Sequence, residues 1–166
     1  MKKYIIGMLV SNQFGVLTRI SGMFGRRGFN IDSLEVGVTE DPSLSRMTIT
    51  VMGEDADRDQ IIKQLEKLQD VFVVREMTPE SIVSRELILV KVKATSENRQ
   101  EILDAVQVFR NKVIDYTPDS LCIEATGETS KIEAFLDLMR RYGILEQCRT
   151  GLVSMDRGVK CLNREE

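Results

Sequence analysis

Apolar positions along this chain follow two rhythms, one of alternating or continuous runs and one of helical spacing. Ile5 to Val10 is a continuous apolar run, which predicts a buried strand. It stops at the polar loop Ser11-Asn12-Gln13. From Gly15 onward, Val16, Leu17, Ile20 and Met23 recur at helical spacing and predict an amphipathic helix over 16–26. Gly28 ends it, after Arg26 and Arg27, whose cations suit the negative end of a helix dipole. Residues 29–39 read as a strand with a slipped phase: Phe29 and Ile31 share one parity, Leu34, Val36 and Val38 the other. A bulge near Asp32-Ser33 accounts for the slip.

A turn cluster at 40–43 leads to Met47, Ile49 and Val51, which alternate with Arg46, Thr48 and Thr50 as in a half-buried strand. Residues 57–68 form a second helical pattern, with Ile61, Ile62, Leu65 and Leu68 on one stripe, and 71–77 a fourth strand. The order β-α-β-β-α-β is that of a ferredoxin-like unit, one sheet backed by two helices.

The order then repeats. Residues 87–94 read as a strand and 97–109 as a helix, with Ser96 as its N-cap. Residues 113–117 and 121–126 make a hairpin, 131–142 a helix stopped by Gly143, and 144–153 a last strand. The expected class is α+β: two ferredoxin-like βαββαβ domains in tandem, over 1–78 and 85–155, followed by a polar tail over 156–166. The boundary falls near Thr78-Pro79-Glu80-Ser81. Units of about 80 residues are marginal alone and leave sheet edges open, so pairing of units or of chains is expected.

The chain has 166 residues, 42% hydrophobic and 30% charged, an ordinary globular balance. A net charge of −3 argues against a nonspecific grip on nucleic acid, which needs a basic face. No apolar run approaches the roughly 20 residues of a membrane span, and "MKKYIIGMLV" runs into a strand-helix pattern without a cleavage site. The expected location is cytoplasmic. Cys122, Cys148 and Cys161, odd in number and far apart, read as reduced structural thiols. There is no histidine, which removes the commonest general base and metal ligand. Met8, Met23, Met47 and Met139 fall on inward faces.

The loop before the first helix carries the candidate chemistry. A helix N-terminus leaves its first N–H groups unpaired and partly positive, a ready place for an anion. Gly15 lets a small ligand approach the backbone there, and Asn12 offers both donor and acceptor. An amino acid fits such a corner, with its carboxylate on the N–H groups of Phe14 to Leu17 and its ammonium on the Asn12 carbonyl oxygen. Asn30 adds a polar contact where the second strand begins, and Ile31 an apolar wall. The same residues also serve as an ordinary cap and turn. The matching loop of the second unit, "KATSENRQEIL", has no glycine, so the topology alone does not demand the Asn-x-x-Gly arrangement.

The sequence resembles the family of small, regulatory subunits of acetolactate synthase (acetohydroxyacid synthase). The block "NQFGVLTRISGMFGRRGFNIDSLEVGVTEDPSLSRMTITV" carries the likeness, with "QIIKQLEKLQDV", "RELILVKV", "IDYTPDSLCIEATG" and "RTGLVSMDRG" later in the chain. The resemblance implies an N-terminal ACT domain that pairs side by side with that of a second copy. It implies an effector, usually valine, at that pairing interface; since one methylene discriminates by only about 1–3 kcal/mol, leucine and isoleucine are expected as weaker effectors. Carried over residue by residue, the resemblance points to Asn12, the turn Phe14-Gly15 and Asn30, contributed from opposite chains; with the loop reading above, the candidate ligand-binding residues are Asn12, Gln13, Phe14, Gly15, Val16, Leu17, Asn30 and Ile31. Phe14 departs from the family, which commonly has a small residue or proline there. The implied partner is a catalytic large subunit carrying thiamine diphosphate, magnesium and FAD; this chain would carry no cofactor and catalyse nothing. A stand-alone amino-acid sensor, or an acylphosphatase-like hydrolase, are the competing readings. The latter needs an arginine in the first loop, which "SNQFG" lacks.

Overall fold

The computed structural model describes residues 1–163. Two compact units emerge, one of Met1–Ser84 together with the chain from Leu152 onward, the other of Arg85–Gly151. The sequence reading ended the second domain at 155 and left the remainder as a tail; in the structure the chain from Leu152 returns to the first unit.

In the first unit, β1 (Lys2–Ser11), α1 (Val16–Arg26), β2 (Ser33–Val38), β3 (Leu44–Gly53), α2 (Asp55–Leu65) and β4 (Val71–Glu76) follow in order. The sheet runs β2-β3-β1-β4, all pairs antiparallel, so β2 and β4 are its edges. One face is covered by the helices. Ile6, Met8, Met47 and Ile49 from the central strands pack against Ile20, Met23 and Phe24 of α1 and Ile61 and Leu65 of α2. Each such fully buried side chain contributes about 1.5–3 kcal/mol of transfer free energy.

Helix α1 occupies the residues its periodicity predicts. It closes with Gly28 at φ 71°, whose N–H reaches Gly25 O, while the Phe29 N–H reaches Phe24 O at 3.1 Å. Those two bonds satisfy carbonyls the helix would otherwise leave open, and the left-handed conformation is why glycine stands there. Two expectations need correction here. Strand β2 starts at Ser33, so Phe29–Ile31 precede it and the phase slip is a strand start rather than a bulge. Strand β3 is buried on both faces, with Thr48 and Thr50 only 1% and 0% exposed, rather than half-buried.

Strand β5 (Ile82–Lys93) begins in the first unit and from Arg85 opens the second, which repeats the pattern with α3 (Arg99–Val108), β6 (Lys112–Tyr116), β7 (Ser120–Gly127), α4 (Thr129–Arg140) and β8 (Ile144–Arg149). Its strand order is β6-β7-β5-β8. Ile88, Val90, Val92, Leu121 and Ile123 meet Ile102 and Val106 of α3 and Phe135 and Met139 of α4. The rings of Phe109 and Phe135 stack at a tilt, 5.3 Å between centroids. Ser96 is not the cap of α3. Asn98 holds the N-cap position, and its Oδ1 accepts the Thr95 N–H at 2.7 Å.

The expected last strand over 144–153 is two strands. It breaks at Gly151, φ 89°, and resumes as β9 (Val153–Asp156), which pairs with β5. No helix among the described residues is long and apolar enough to cross a membrane.

Candidate effector site

Strand β1 carries its last residue, Ser11, to the end of the sheet where it pairs with Leu44 of β3, and the chain turns there into α1. Asn12 is fastened to the β2–β3 hairpin: its N–H donates to Ser43 O at 2.8 Å and its Nδ2 to Pro42 O at 2.9 Å. A carbonyl can only accept, so Pro42 orients the Asn12 carboxamide with nitrogen toward the hairpin. Its Oδ1 is left as an acceptor with no protein donor among the described residues.

Gly15 is the N-cap of α1, in the left-handed conformation at φ 84°, and no side chain caps the helix. The Gly15 carbonyl accepts the Arg19 N–H at 3.0 Å, and the Val16 amide makes a long 3.4 Å contact to Gln13 O. The Phe14, Gly15 and Leu17 amides have no backbone acceptor among the described residues. This corner therefore presents open donors at the positive end of a helix and one oriented carbonyl oxygen, the two halves a zwitterion needs. Asn12, Gln13 and Phe14 are exposed, Phe14 fully so, while Val16 is buried in the core and Leu17 is 44% exposed.

The sequence reading missed Arg19. Its Nε pairs with Asp70 at 2.6 Å, and its Nη1 would stand 2.9 Å from a Cβ on Gly15. Asp70 also accepts the Ser11 N–H through its carbonyl at 2.8 Å, so one residue holds both the loop's entry and the guanidinium beside its turn. The signal was available in principle: Arg19 lies one helical turn after Gly15, on the face that Val16 and Ile20 do not use.

Asn30 and Ile31 lie elsewhere in the same chain. Asn30 is exposed, with Nδ2 near Asp32 Oδ1 at 3.4 Å, and Ile31 packs half-buried against the helix-side core. They precede Ser33, which pairs with Thr50, whereas Asn12 sits by Leu44, beyond the Val38–Ser45 pair. The two groups thus flank opposite ends of β2, a strand about 17 Å long at 3.3–3.4 Å per residue. No hydrogen bond joins them among the described residues. Edge strand β2 between them exposes Val36 and Val38, 45% and 61%.

Residues 6–73 match the family model of the AHAS small subunit-like ACT domain, and residues 85–158 that of the small subunit of acetolactate synthase. A probable acetolactate synthase small subunit from Archaeoglobus fulgidus is 52% identical over 158 residues, 95% of this chain and 99% of that one. The acetolactate synthase small subunit of Mycobacterium bovis is 47% identical over 157 residues, covering 95% and 94%. The crystal structure of the acetolactate synthase small subunit from Thermotoga maritima superposes with a TM-score of 0.87 at 42% identity, covering 96% of this chain and 100% of that one. The tandem ferredoxin-like reading holds, and the chain belongs to the acetolactate synthase small-subunit family, with an ACT domain as its first unit.

Proposed function

We propose that this chain is a non-catalytic regulatory subunit that binds valine between two paired ACT domains, activates a catalytic acetolactate synthase subunit and makes it inhibitable. One observation carries the paired site: Asn30 and the Asn12–Leu17 loop flank opposite ends of the same edge strand. Antiparallel pairing of β2 with β2 of a second copy brings the Ser33 end of one beside the Val38 end of the other. Each Asn30 then meets the partner's loop, and each corner is complete. The same pairing removes an open edge and covers Val36 and Val38.

The loop amides and the Arg19 guanidinium take the carboxylate, Asn12 Oδ1 takes the ammonium, and apolar side chains of the paired edges take the aliphatic group. Valine and alanine differ by two carbons, each worth about 1–3 kcal/mol, so selectivity among branched side chains is graded and leucine and isoleucine bind less tightly. Coupling of about 1–3 kcal/mol between this site and the catalytic subunit gives a 5- to 150-fold effect. Thiamine diphosphate, magnesium and FAD belong to that catalytic partner in this reading, and the complex is cytoplasmic.

The test is complementation between broken sites. Gly15→Asp puts a carboxylate where the ligand's own would lie, and Asn30→His blocks the other half. Homodimers of either variant should bind no valine by calorimetry. Mixed dimers should recover half the wild-type stoichiometry, because one of the two sites then receives an intact loop and an intact Asn30. Mixed dimers that bind nothing would place both halves of the site within a single chain and end the paired-site reading.

A further inference from the structure

The sheet of the first unit has a second face, away from its helices, and the chain's own C-terminal segment lies on it. Leu152 and Leu162, 3% and 8% exposed, pack with Ile5, Met77 and Ile82. Leu162 sits over Gly7 of β1, where a Cβ would meet Leu162 Cδ1 at 3.2 Å and Met77 at 3.0 Å. Between these apolar ends the segment is held by cations of the sheet. Arg46 of β3 donates from Nη2 to Ser154 O at 2.8 Å, and Arg75 of β4 pairs with Asp156, whose side chain is 5% exposed. Within the polar tail expected over 156–166, Asp156 and Leu162 are both seated on the sheet.

Arg46 serves two masters. It lies opposite Gly37 of β2 in the ladder, and Glu35 of the same edge strand faces it on the outer side of the sheet. Burial pushes the Glu35 carboxyl above its ordinary range, and Arg46 draws it back down. The guanidinium itself is pushed below its usual range by burial, and Asp156 draws it back up. Arg46 Nε and Ser154 Oγ are buried without a protein partner among the described residues. A segment seated on unmatched polar atoms loses less on lifting than one whose groups are all paired.

We propose that residues 152–162 form a releasable strap whose hold on the ACT sheet is set by Arg46, the group it shares with edge strand β2. When β2 shifts, Glu35 takes or releases Arg46, and the strap loosens or seats. The strap continues from β8 through Thr150 and Gly151, so its seating is a covalent route from the edge of the first unit to the last strand of the second. That it carries an effector signal rests on the valine reading above; that it answers to β2 does not.

Amide hydrogen exchange on the full-length chain separates the two. Peptides covering 153–162 should exchange about tenfold faster in Leu162→Ala, with the β1 and β3 amides unchanged as the internal reference. Glu35→Gln leaves Arg46 to the strap alone and should slow exchange of the same peptides at least threefold. Saturating valine should change strap exchange in the wild-type chain and leave it unchanged in Gly15→Asp. Strap exchange indifferent to Glu35→Gln, or moving only together with β1 and β3, would overturn the strap. A strap that responds to Glu35→Gln but not to valine keeps the device and removes the effector from it.

Discussion

Arg19 stands against Gly15: a Cβ built on the glycine would lie 2.9 Å from Arg19 Nη1, while Nε is fixed by Asp70 at 2.6 Å. Half of the guanidinium is thus committed to holding the loop, and half points at the corner where the proposed function puts the effector's carboxylate. A hydrogen bond to a charged group is worth about 1.5–3 kcal/mol, so Arg19→Met should weaken valine binding roughly 10- to 100-fold by calorimetry. Stability should change by about 1 kcal/mol, because the Arg19 side chain is 49% exposed while Asp70, at 20%, keeps its bond to the Ser11 N–H. Wild-type affinity in this variant would exclude Arg19 from the site.

Arg110 ends α3 as Gly28 ends α1. Its φ is 54°, its N–H reaches Gln107 O at 3.0 Å, and the Asn111 N–H reaches Val106 O at 2.9 Å. The hydrogen bonds are those of a left-handed helix stop, but the residue carries a Cβ that this conformation disfavours by about 1–2 kcal/mol. Arg110→Gly relieves that strain and gives back part of it as unfolded-state entropy. The expected result is a net gain of about 0.5–1 kcal/mol in denaturant unfolding. A net loss would mean that the arginine side chain holds the turn.

Glu86 is 3% exposed and accepts Arg149 Nη2 at 2.5 Å and Nε at 3.1 Å, with Thr129 donating its hydroxyl to the other oxygen. Glu86→Ala removes the buried member of the pair, strips the half-buried Arg149 guanidinium of its main partner and should destabilise the chain by roughly 3 kcal/mol. Glu133, 44% exposed, also pairs with Arg149, and Glu133→Ala should cost less than about 1 kcal/mol. The double variant Glu86→Met/Arg149→Met should recover most of the loss, since an apolar pair needs no compensation. If the double variant is no better than Glu86→Ala, packing rather than charge governs the position.

Tyr4 donates its hydroxyl to Asp55 at 2.5 Å, and that hydrogen bond, with burial, pushes its phenol up to about 12. The folded chain therefore keeps a proton that the unfolded chain loses near 10, and stability falls as pH rises from about 10 through 12. The same bond lowers the Asp55 carboxyl, a contribution present at neutral pH and lost as pH falls below the ordinary carboxylate range. Absorbance at 295 nm should show one of the three tyrosines titrating near 12. Tyr4→Phe should remove that late phase; an unchanged titration curve would disprove the assignment.

The helices and their stops were legible wherever glycine marks them. Gly28 and Gly143 have the positive φ their positions imply, and α1 has the bounds its periodicity predicts. Arg110 was not legible as a stop, because no side-chain rule announces an arginine in the left-handed region. Strand β3 read as half-buried because its outer face is threonine and arginine. A hydroxyl or guanidinium reports only its own polarity, and the segment that covers it comes from more than 100 residues away. Asn12, Gly15 and the open amides of α1 were legible from their order in the chain, since a strand, a glycine and a helix start are all local.

The sequence by itself determined the two βαββαβ units and their helix-side cores, and it marked the start of α1 as a candidate corner. Periodicity, turn residues and an unfilled helix N-terminus are properties of near neighbours, and near neighbours are what a sequence lists. Tertiary structure alone decided three things. It put Arg19 beside Gly15 through Asp70, it set Asn30 and the Asn12 loop at opposite ends of β2, and it laid the C-terminal segment over Arg46 and Arg75. Each depends on strand register and on where a distant stretch comes to rest, which follow from the summed packing of the whole unit rather than from any local preference.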